Sequence, residues 1–178
     1  PEYLVIAVAL QAVVWLLLAD GWRRILRLYL GRHYPLPASL LHFSLFSFGK
    51  YLPGKIWGAA ARAVNMEGSG VSHGESLEAT IREQYFVLHS ALVLAAMLFP
   101  IVKPGALSLA ILGGALASAA FGGRIMDWAL SSAIRWFRRS SAAGGSAPNP
   151  RASIGLLGHY GAAWAVHGAV LVVLYAAI

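Results

Sequence analysis

The chain has 178 residues, of which 58% are hydrophobic and 12% charged, and its formal net charge is +7. Such a sequence is too apolar and too poor in charge for an ordinary soluble domain, so we expect an integral membrane protein. Its basic residues do not alternate with aromatic and polar residues along a solvated face, which argues against nucleic acid as a partner. The absence of cysteine excludes disulfide bonds and thiolate metal sites.

Four apolar stretches have about the length that a helix needs to cross a bilayer, roughly 20 residues. They are residues 1–22, 81–102, 104–122 and 154–178. A basic segment with Arg23, Arg24 and Arg27 follows the first stretch, and we interpret it as a helix end whose side chains extend into the lipid headgroups. A dedicated clamp for lipid phosphate is the alternative for this segment.

Residues 36–64 form another apolar stretch, but it cannot be one uninterrupted span. The residues that interrupt it are Gly49, Pro53, Gly54 and Gly58. Proline and glycine both disfavour helix interiors, and broken backbone at membrane depth survives only where protein or water satisfies its polar groups. We therefore predict a re-entrant hairpin, in which a short helix, a tight turn at Pro53 and Gly54 and a second short helix return the chain to the side it entered from.

A capping box predicts where the helix of the second span begins. Ser72 and Glu75 have the spacing in which each side chain can bond the backbone N–H of the other, so a helix should begin near His73. Glu78 and Arg82 then lie four residues apart, in the orientation that favours an ion pair.

The remaining segments complete the predicted fold. The third span contains a Gly113–Gly114 pair, which favours close packing against another helix. Residues 124–139 mix charged with large apolar side chains, as is typical of an amphipathic helix at the membrane interface, and residues 140–153 have the composition of a flexible linker. We expect a single all-α membrane domain: a polytopic bundle of four spanning helices with a re-entrant hairpin and an interfacial helix.

The distribution of basic residues agrees with this topology. If the N-terminus is outside and the hairpin enters from the cytoplasm, every arginine falls on the cytoplasmic side. Of the lysines, Lys103 is then outside, and Lys50 and Lys55 lie in the hairpin. This asymmetry follows the positive-inside rule.

The hairpin also predicts an anion-binding site. Lys50 and Lys55 flank a turn whose free N–H groups precede a helix N-terminus, and this combination attracts a lipid phosphate. The candidate residues for binding the lipid are Lys50, Tyr51, Pro53, Gly54, Lys55, Trp57 and Arg62. Arg62 can instead be a simple anchor at the interface. In the alternative interpretation of the hairpin, both lysines extend back to the interface and the hairpin is only architectural.

These segments resemble a known family. The order W-R-R-I-L, F-G-K-Y-L-P-G-K-I-W and G-V-S-H-G-E-S-L, with A-A-W-A-V-H-G-A-V-L near the end, is similar to the transmembrane region of lysylphosphatidylglycerol synthase, the flippase-like integral membrane family. G-K-Y-L-P-G-K is the most specific part. The resemblance implies a bundle in the bacterial cytoplasmic (inner) membrane that binds and helps translocate an anionic or phosphate-bearing lipid. It also adds Arg82 and Glu83 to the candidate lipid-binding residues.

The sequence departs from the family pattern in three ways. Family members usually carry a Glu-Arg pair where this chain has Arg82 followed by Glu83. They also usually carry a helix before the first span and a second broken segment after the last, neither of which is in this sequence. An alternative expectation is therefore a non-catalytic accessory or structural subunit of a larger membrane complex.

No pattern of residues predicts an enzyme. We find no metalloprotease-type histidine spacing and no pair of carboxylates near a reactive centre, so we expect no catalytic residue, metal or cofactor. Ala163 and His167 have the spacing that lets a tetrapyrrole approach a ligating histidine, which leaves a pigment- or haem-binding subunit as the least favoured alternative. Histidines in spans more often bond a neighbouring helix. The expected partners are membrane lipids with anionic headgroups and other membrane subunits.

Overall fold

A computed structural model describes residues 2–53, 56–137 and 150–177, with the backbone alone at residues 133–137 and 150. This part of the chain contains six α-helices and no strand. The helices are α1 (Glu2–Leu30), α2 (Leu36–Gly49), α3 (Trp57–Glu67), α4 (His73–Val102), α5 (Ala106–Phe137) and α6 (Pro150–Tyr175).

Four of these helices are long and apolar enough to cross a membrane, namely α1, α4, α5 and α6. They cover the four predicted spans, so the prediction of an all-α fold with four helices long and apolar enough to span a membrane is confirmed for the described residues. By contrast, α2 has 14 residues and α3 has 11. At 1.5 Å per residue these helices are about 21 and 16 Å long, well short of a hydrocarbon core of about 30 Å.

Helix α4 begins where the capping box predicts. The Ser72 amide donates a hydrogen bond to Glu75 Oε2 at 2.8 Å, and the Glu75 amide donates to Ser72 Oγ at 3.3 Å. One turn further on, Arg82 and Glu78 form the predicted ion pair at 2.8 Å. The local spacing of these residues was therefore sufficient to predict both contacts.

Helix α5 differs from the prediction at residues 122–124. The sequence predicts a span that ends at residue 122 and a separate helix from 124, whereas α5 runs without a break from Ala106 to Phe137. Gly122 and Gly123 each weaken a helix by only about 1 kcal/mol and, unlike proline, keep their N–H donors. A Cβ at Gly123 would lie 2.7 Å from Ser153 Oγ, so this glycine allows the close approach of α6.

Helix α6 begins earlier than the predicted end of the linker. Residues 150–153 are helical, although the linker was predicted over residues 140–153. Proline is favoured at the first position of a helix, because the N–H that it lacks would be unpaired there, and Pro150 begins α6. The rest of the predicted linker lies outside the described residues.

The chain divides into two compact units. One comprises the residues up to Tyr85 together with those from Ala162 onward, and the other comprises residues 86–161. In the second unit, His89 of α4 and Ser118 of α5 are hydrogen-bonded at 2.9 Å. In the first unit, α2 packs against both α1 and α3. The apolar side chains buried in this first unit include Trp22, Ile25, Leu26, Phe43, Phe46, Met66, Val71 and Ala79.

Candidate functional site

Helices α2 and α3 form a hairpin whose arms touch at two glycines. A Cβ on Gly49, the last residue of α2, would overlap the backbone of Gly58 in α3, and a Cβ on Gly58 would overlap the carbonyl of Phe46. Farther from the turn, Arg62 Nε donates a hydrogen bond to the carbonyl of His42 at 3.0 Å. The two helices therefore run antiparallel. Gly58 lies inside α3 and allows close packing, so it does not break the helix as the sequence analysis predicted.

The described part of the turn is closed by a tryptophan. Trp57 Nε1, at the start of α3, donates a hydrogen bond to the carbonyl of Pro53 at 2.5 Å. The backbone of Tyr51 also returns toward α2, because its amide donates to the Phe48 carbonyl at 3.1 Å. Two predicted lipid-binding residues, Gly54 and Lys55, lie outside the described residues.

The two ends of the hairpin segment also meet. Arg32, which precedes α2, donates a hydrogen bond from Nη2 to the carbonyl of Gly70, which follows α3, at 3.2 Å. The chain thus leaves the hairpin next to the place where it entered. Among the described residues around the turn, five exposed side chains are aliphatic or aromatic, namely Phe48, Tyr51, Leu52, Ile56 and Trp57.

Lys50 lies beside this exposed turn. Its side chain is exposed, and its Nζ lies 4.5 Å from the centroid of the Phe46 ring. The guanidinium of Arg62 lies 4.4 Å from the centroid of the same ring. A ring face attracts cations through its quadrupole, so Phe46 stabilises both charges and orients Lys50 next to the turn.

Arg62 is fully buried. Its Nη1 forms an ion pair of 2.6 Å with Glu83 of α4, whose side chain is 2% exposed, and lies 3.4 Å from Thr80 Oγ1. This environment corrects the expectation that Arg62 is an interface anchor. A buried cation requires a carboxylate and hydrogen bonds to offset its lost hydration, and α2 and α4 supply both.

Aromatic side chains complete the enclosure of this guanidinium. Arg62 Cζ lies 3.9 Å from the centroid of a Trp22 ring, and Trp22 Nε1 donates a hydrogen bond of 3.3 Å to His42 Nδ1. Because His42 Nδ1 accepts this bond, its ring proton is on Nε2. Arg62 Nη2 is buried and has no hydrogen-bond partner among the described residues. The guanidinium thus fastens α3 to α1, α2 and α4.

Arg82 and Glu83 are adjacent in sequence but have different partners. Arg82 pairs with Glu78 on its own helix, and its Cζ lies 4.1 Å from the ring centroid of Tyr29 in α1. Glu83 pairs with Arg62 instead. Successive residues of a helix point about 100° apart, so the two side chains extend toward different neighbours. The structure brings Lys50, Arg62 and Glu83 to the hairpin and leaves Arg82 at α1.

Sequence reasoning missed the side chains that enclose Arg62. Trp22, His42, Phe46 and Thr80 were not among the candidates, because each contributes through contacts with residues far along the chain. The sequence did contain one signal for the ion pair. An arginine within an apolar segment usually pairs with a carboxylate, and Glu83 lies near the start of the apolar second span.

The possible tetrapyrrole ligand lies elsewhere, on α6. His167 is partly buried, its Nδ1 has no partner among the described residues, and its ring centroid lies 6.0 Å from that of Trp164 in an edge-on arrangement. Ala163, one turn earlier, is buried. Within the described ranges, no group of three or more His, Cys, Asp or Glu side chains is placed to hold a metal ion.

Comparisons with protein-family models, curated proteins and solved structures find no match. The resemblance to the lysylphosphatidylglycerol synthase transmembrane family therefore stays a prediction.

Proposed function

We propose that this chain is a flippase-like membrane domain in which the α2–α3 hairpin enters the bilayer, binds a phosphate-bearing lipid and helps it to cross. The contact between Arg32 and Gly70 is the observation that carries the proposal, because it brings the entry and the exit of the hairpin together. A re-entrant segment of this kind can form a binding site inside the membrane, since broken helices build substrate sites in transporters.

The lengths and the surface of the hairpin support a re-entrant position. Each helix of the hairpin is too short to cross the membrane alone. The exposed aromatic and aliphatic side chains at the turn are unfavourable in water and favourable in lipid. The antiparallel packing at Gly49 and Gly58 then returns the chain to the side of entry.

Lys50 is the proposed cation for the lipid phosphate. Among the described residues of the hairpin site, Glu83 neutralises Arg62, so the ammonium of Lys50 supplies the excess positive charge. It is exposed at the turn, where Tyr51 and Trp57 offer surfaces for acyl chains. Arg62 does not contact the lipid in this proposal. It fixes the helices that hold Lys50 in place.

The orientation follows from the same arrangement. We place the N-terminus outside and the arginine-bearing ends of the helices in the cytoplasm, in a bacterial inner membrane, as the positive-inside rule favours. Within α5, Arg124, Ile125 and Trp128 are exposed while Asp127 is buried. This pattern supports an interfacial position for the second half of α5.

Reconstitution into vesicles tests the role of Lys50. The transfer of a headgroup-labelled phosphatidylglycerol between leaflets is followed by quenching the label from outside. A charge-assisted hydrogen bond contributes about 1.5–3 kcal/mol, so Lys50→Gln should slow the transfer about tenfold or more. Lys103→Gln makes the same change of charge outside the hairpin and should leave the rate unchanged. Equal rates for wild type and Lys50→Gln would contradict the proposal.

An accessory subunit of a larger membrane complex is the second candidate, and a set of glycines favours it. A Cβ at any of these positions on α5 and α6 would meet no described atom within 4 Å: Gly113, Gly114, Gly155, Gly158 and Gly161. Open small-residue surfaces in membranes suit the close approach of another helix. Copurification of a membrane partner in fixed stoichiometry, with no lipid transfer by the chain alone, would select this candidate.

A further inference from the structure

A pocket of about 220 Å³ lies at the C-terminal end of α1, separate from the turn of the hairpin. The residues that line it are Arg23, Arg24, Arg27, His33 and Tyr34. All five belong to the first compact unit. The pocket therefore combines three guanidinium groups with an imidazole and a phenol.

The local sequence explains why these side chains converge. Helix α1 ends at Leu30, and Gly31 follows in the left-handed conformation with φ of 63°, which side chains with a Cβ rarely adopt. The Arg32 amide then donates a hydrogen bond to the Leu26 carbonyl at 3.3 Å. This reversal folds the next residues back onto the last turns of α1, where the arginines lie.

The pocket has an excess of positive charge. Asp20 accepts hydrogen bonds from both Arg23 and Arg24, the latter at 2.7 Å, so one carboxylate is shared by two guanidinium groups. Arg27 is exposed and forms no ion pair with a described residue. Three arginines and one aspartate leave two positive charges, which is the charge that a phosphate dianion balances.

Tyr34 contributes to the wall of the pocket. Its ring lies edge-on to His42, with the centroids 5.2 Å apart. Its hydroxyl is buried and is not open to the pocket, so the guanidinium groups are the charged donors that a ligand would meet there.

We infer that this pocket binds a phosphate monoester or pyrophosphate group. Arginine forks bind phosphate oxygens in pairs, and three arginines line the pocket. A water molecule takes up about 30 Å³ of liquid, so the pocket has room for such a group with a few waters. A monoester dianion matches the excess charge better than the single charge of a phosphodiester. The inference is independent of lipid transfer at Lys50.

Binding of inorganic pyrophosphate tests this inference. The full chain is placed in nanodiscs of neutral phosphatidylcholine and titrated calorimetrically. Removing one charged donor should weaken binding about tenfold in Arg27→Gln. Arg124→Gln is the matched control, because it removes the same charge from an exposed arginine of α5 that does not line the pocket. Arg24→Gln removes another exposed guanidinium of the pocket and carries the test if Arg27→Gln does not fold.

A second experiment distinguishes a lipid headgroup from a soluble ligand as the source of the phosphate group. Nanodiscs that contain phosphatidic acid or phosphatidylglycerol distinguish a lipid monoester from a lipid diester. Phosphatidic acid that binds more tightly than phosphatidylglycerol, and is displaced by pyrophosphate, would support a lipid headgroup, whereas binding of pyrophosphate alone would support a soluble ligand. Three results would overturn the inference: no saturable binding of pyrophosphate or phosphatidic acid, equal binding of the two lipids without binding of pyrophosphate, or a loss in Arg124→Gln equal to that in Arg27→Gln. A Lys50→Gln chain should bind pyrophosphate as the wild type does, which separates this test from that of lipid transfer.

Discussion

Lys50 and Arg62 lie against the same aromatic ring in opposite surroundings. Both are within 4.5 Å of the Phe46 centroid, but Arg62 is fully buried and paired with Glu83, whereas Lys50 is exposed and forms no ion pair with a described residue. A buried charge that a fixed partner neutralises specifies one arrangement of helices. An exposed charge without a partner is available to an external anion. Disrupting the Arg62–Glu83 pair should therefore affect folding, and removing the charge of Lys50 should affect lipid binding.

The largest expected effect comes from Glu83→Gln. This change leaves the Arg62 guanidinium buried without its carboxylate, and breaking a buried pair in this way costs about 3–5 kcal/mol. The free energy of unfolding in detergent measures the loss. Glu67→Gln is the control, because Glu67 pairs with His73 on the surface and exposed pairs contribute about 0–1 kcal/mol. Equal losses in the two variants would show that the Arg62–Glu83 pair does not hold the helices together.

A smaller effect is expected from Gly58→Ala. The new Cβ would overlap the Phe46 carbonyl, and relieving such an overlap costs about 1–3 kcal/mol. The same change in α6, Gly155→Ala, meets open space and should be neutral or stabilise the helix by up to about 1 kcal/mol. Thermal unfolding of the two variants gives the comparison. If Gly58→Ala is as stable as Gly155→Ala, then α2 and α3 do not pack as closely as described.

The smallest effect on folding is expected from Lys50→Gln. The lysine contributes one cation–π contact at an exposed position, which is worth about 0.5–1 kcal/mol. The free energy of unfolding should therefore fall by less than about 1 kcal/mol, while lipid transfer slows about tenfold or more. A large loss of stability would mean that Lys50, like Arg62, is a structural cation, and it would contradict the proposed role of Lys50 in lipid binding.

Local patterns in the sequence predicted much of the fold. Apolar length identified the four long helices, and the capping box at Ser72 and the spacing of Glu78 and Arg82 identified contacts within α4. Each of these features depends on residues within a few positions of one another. The boundary between the third span and the interfacial helix was predicted from the change in composition near residue 124, but a change in composition does not end a helix, and α5 continues through Gly122 and Gly123. Packing against Ser153 accounts for Gly123.

The candidate site was only partly predictable. Lys50, Tyr51 and Trp57 were selected because they surround a proline-containing turn, and they lie together at the end of the hairpin. The pairing of Arg62 with Glu83 joins residues 21 positions apart on two helices. It depends on how α2, α3 and α4 pack, which no local spacing encodes. The role of Gly58 in close packing was missed for the same reason.

The side of the membrane on which the hairpin begins and ends is the most direct test of the proposed function. Because the chain has no cysteine, single cysteines at His33 and Ser69, both exposed and on either side of the hairpin, can be labelled with an impermeant maleimide in oriented vesicles. A re-entrant hairpin predicts that both positions react from the cytoplasmic side. Labelling of residue 33 from one side and residue 69 from the other would mean that the segment crosses the bilayer, which would contradict the proposal.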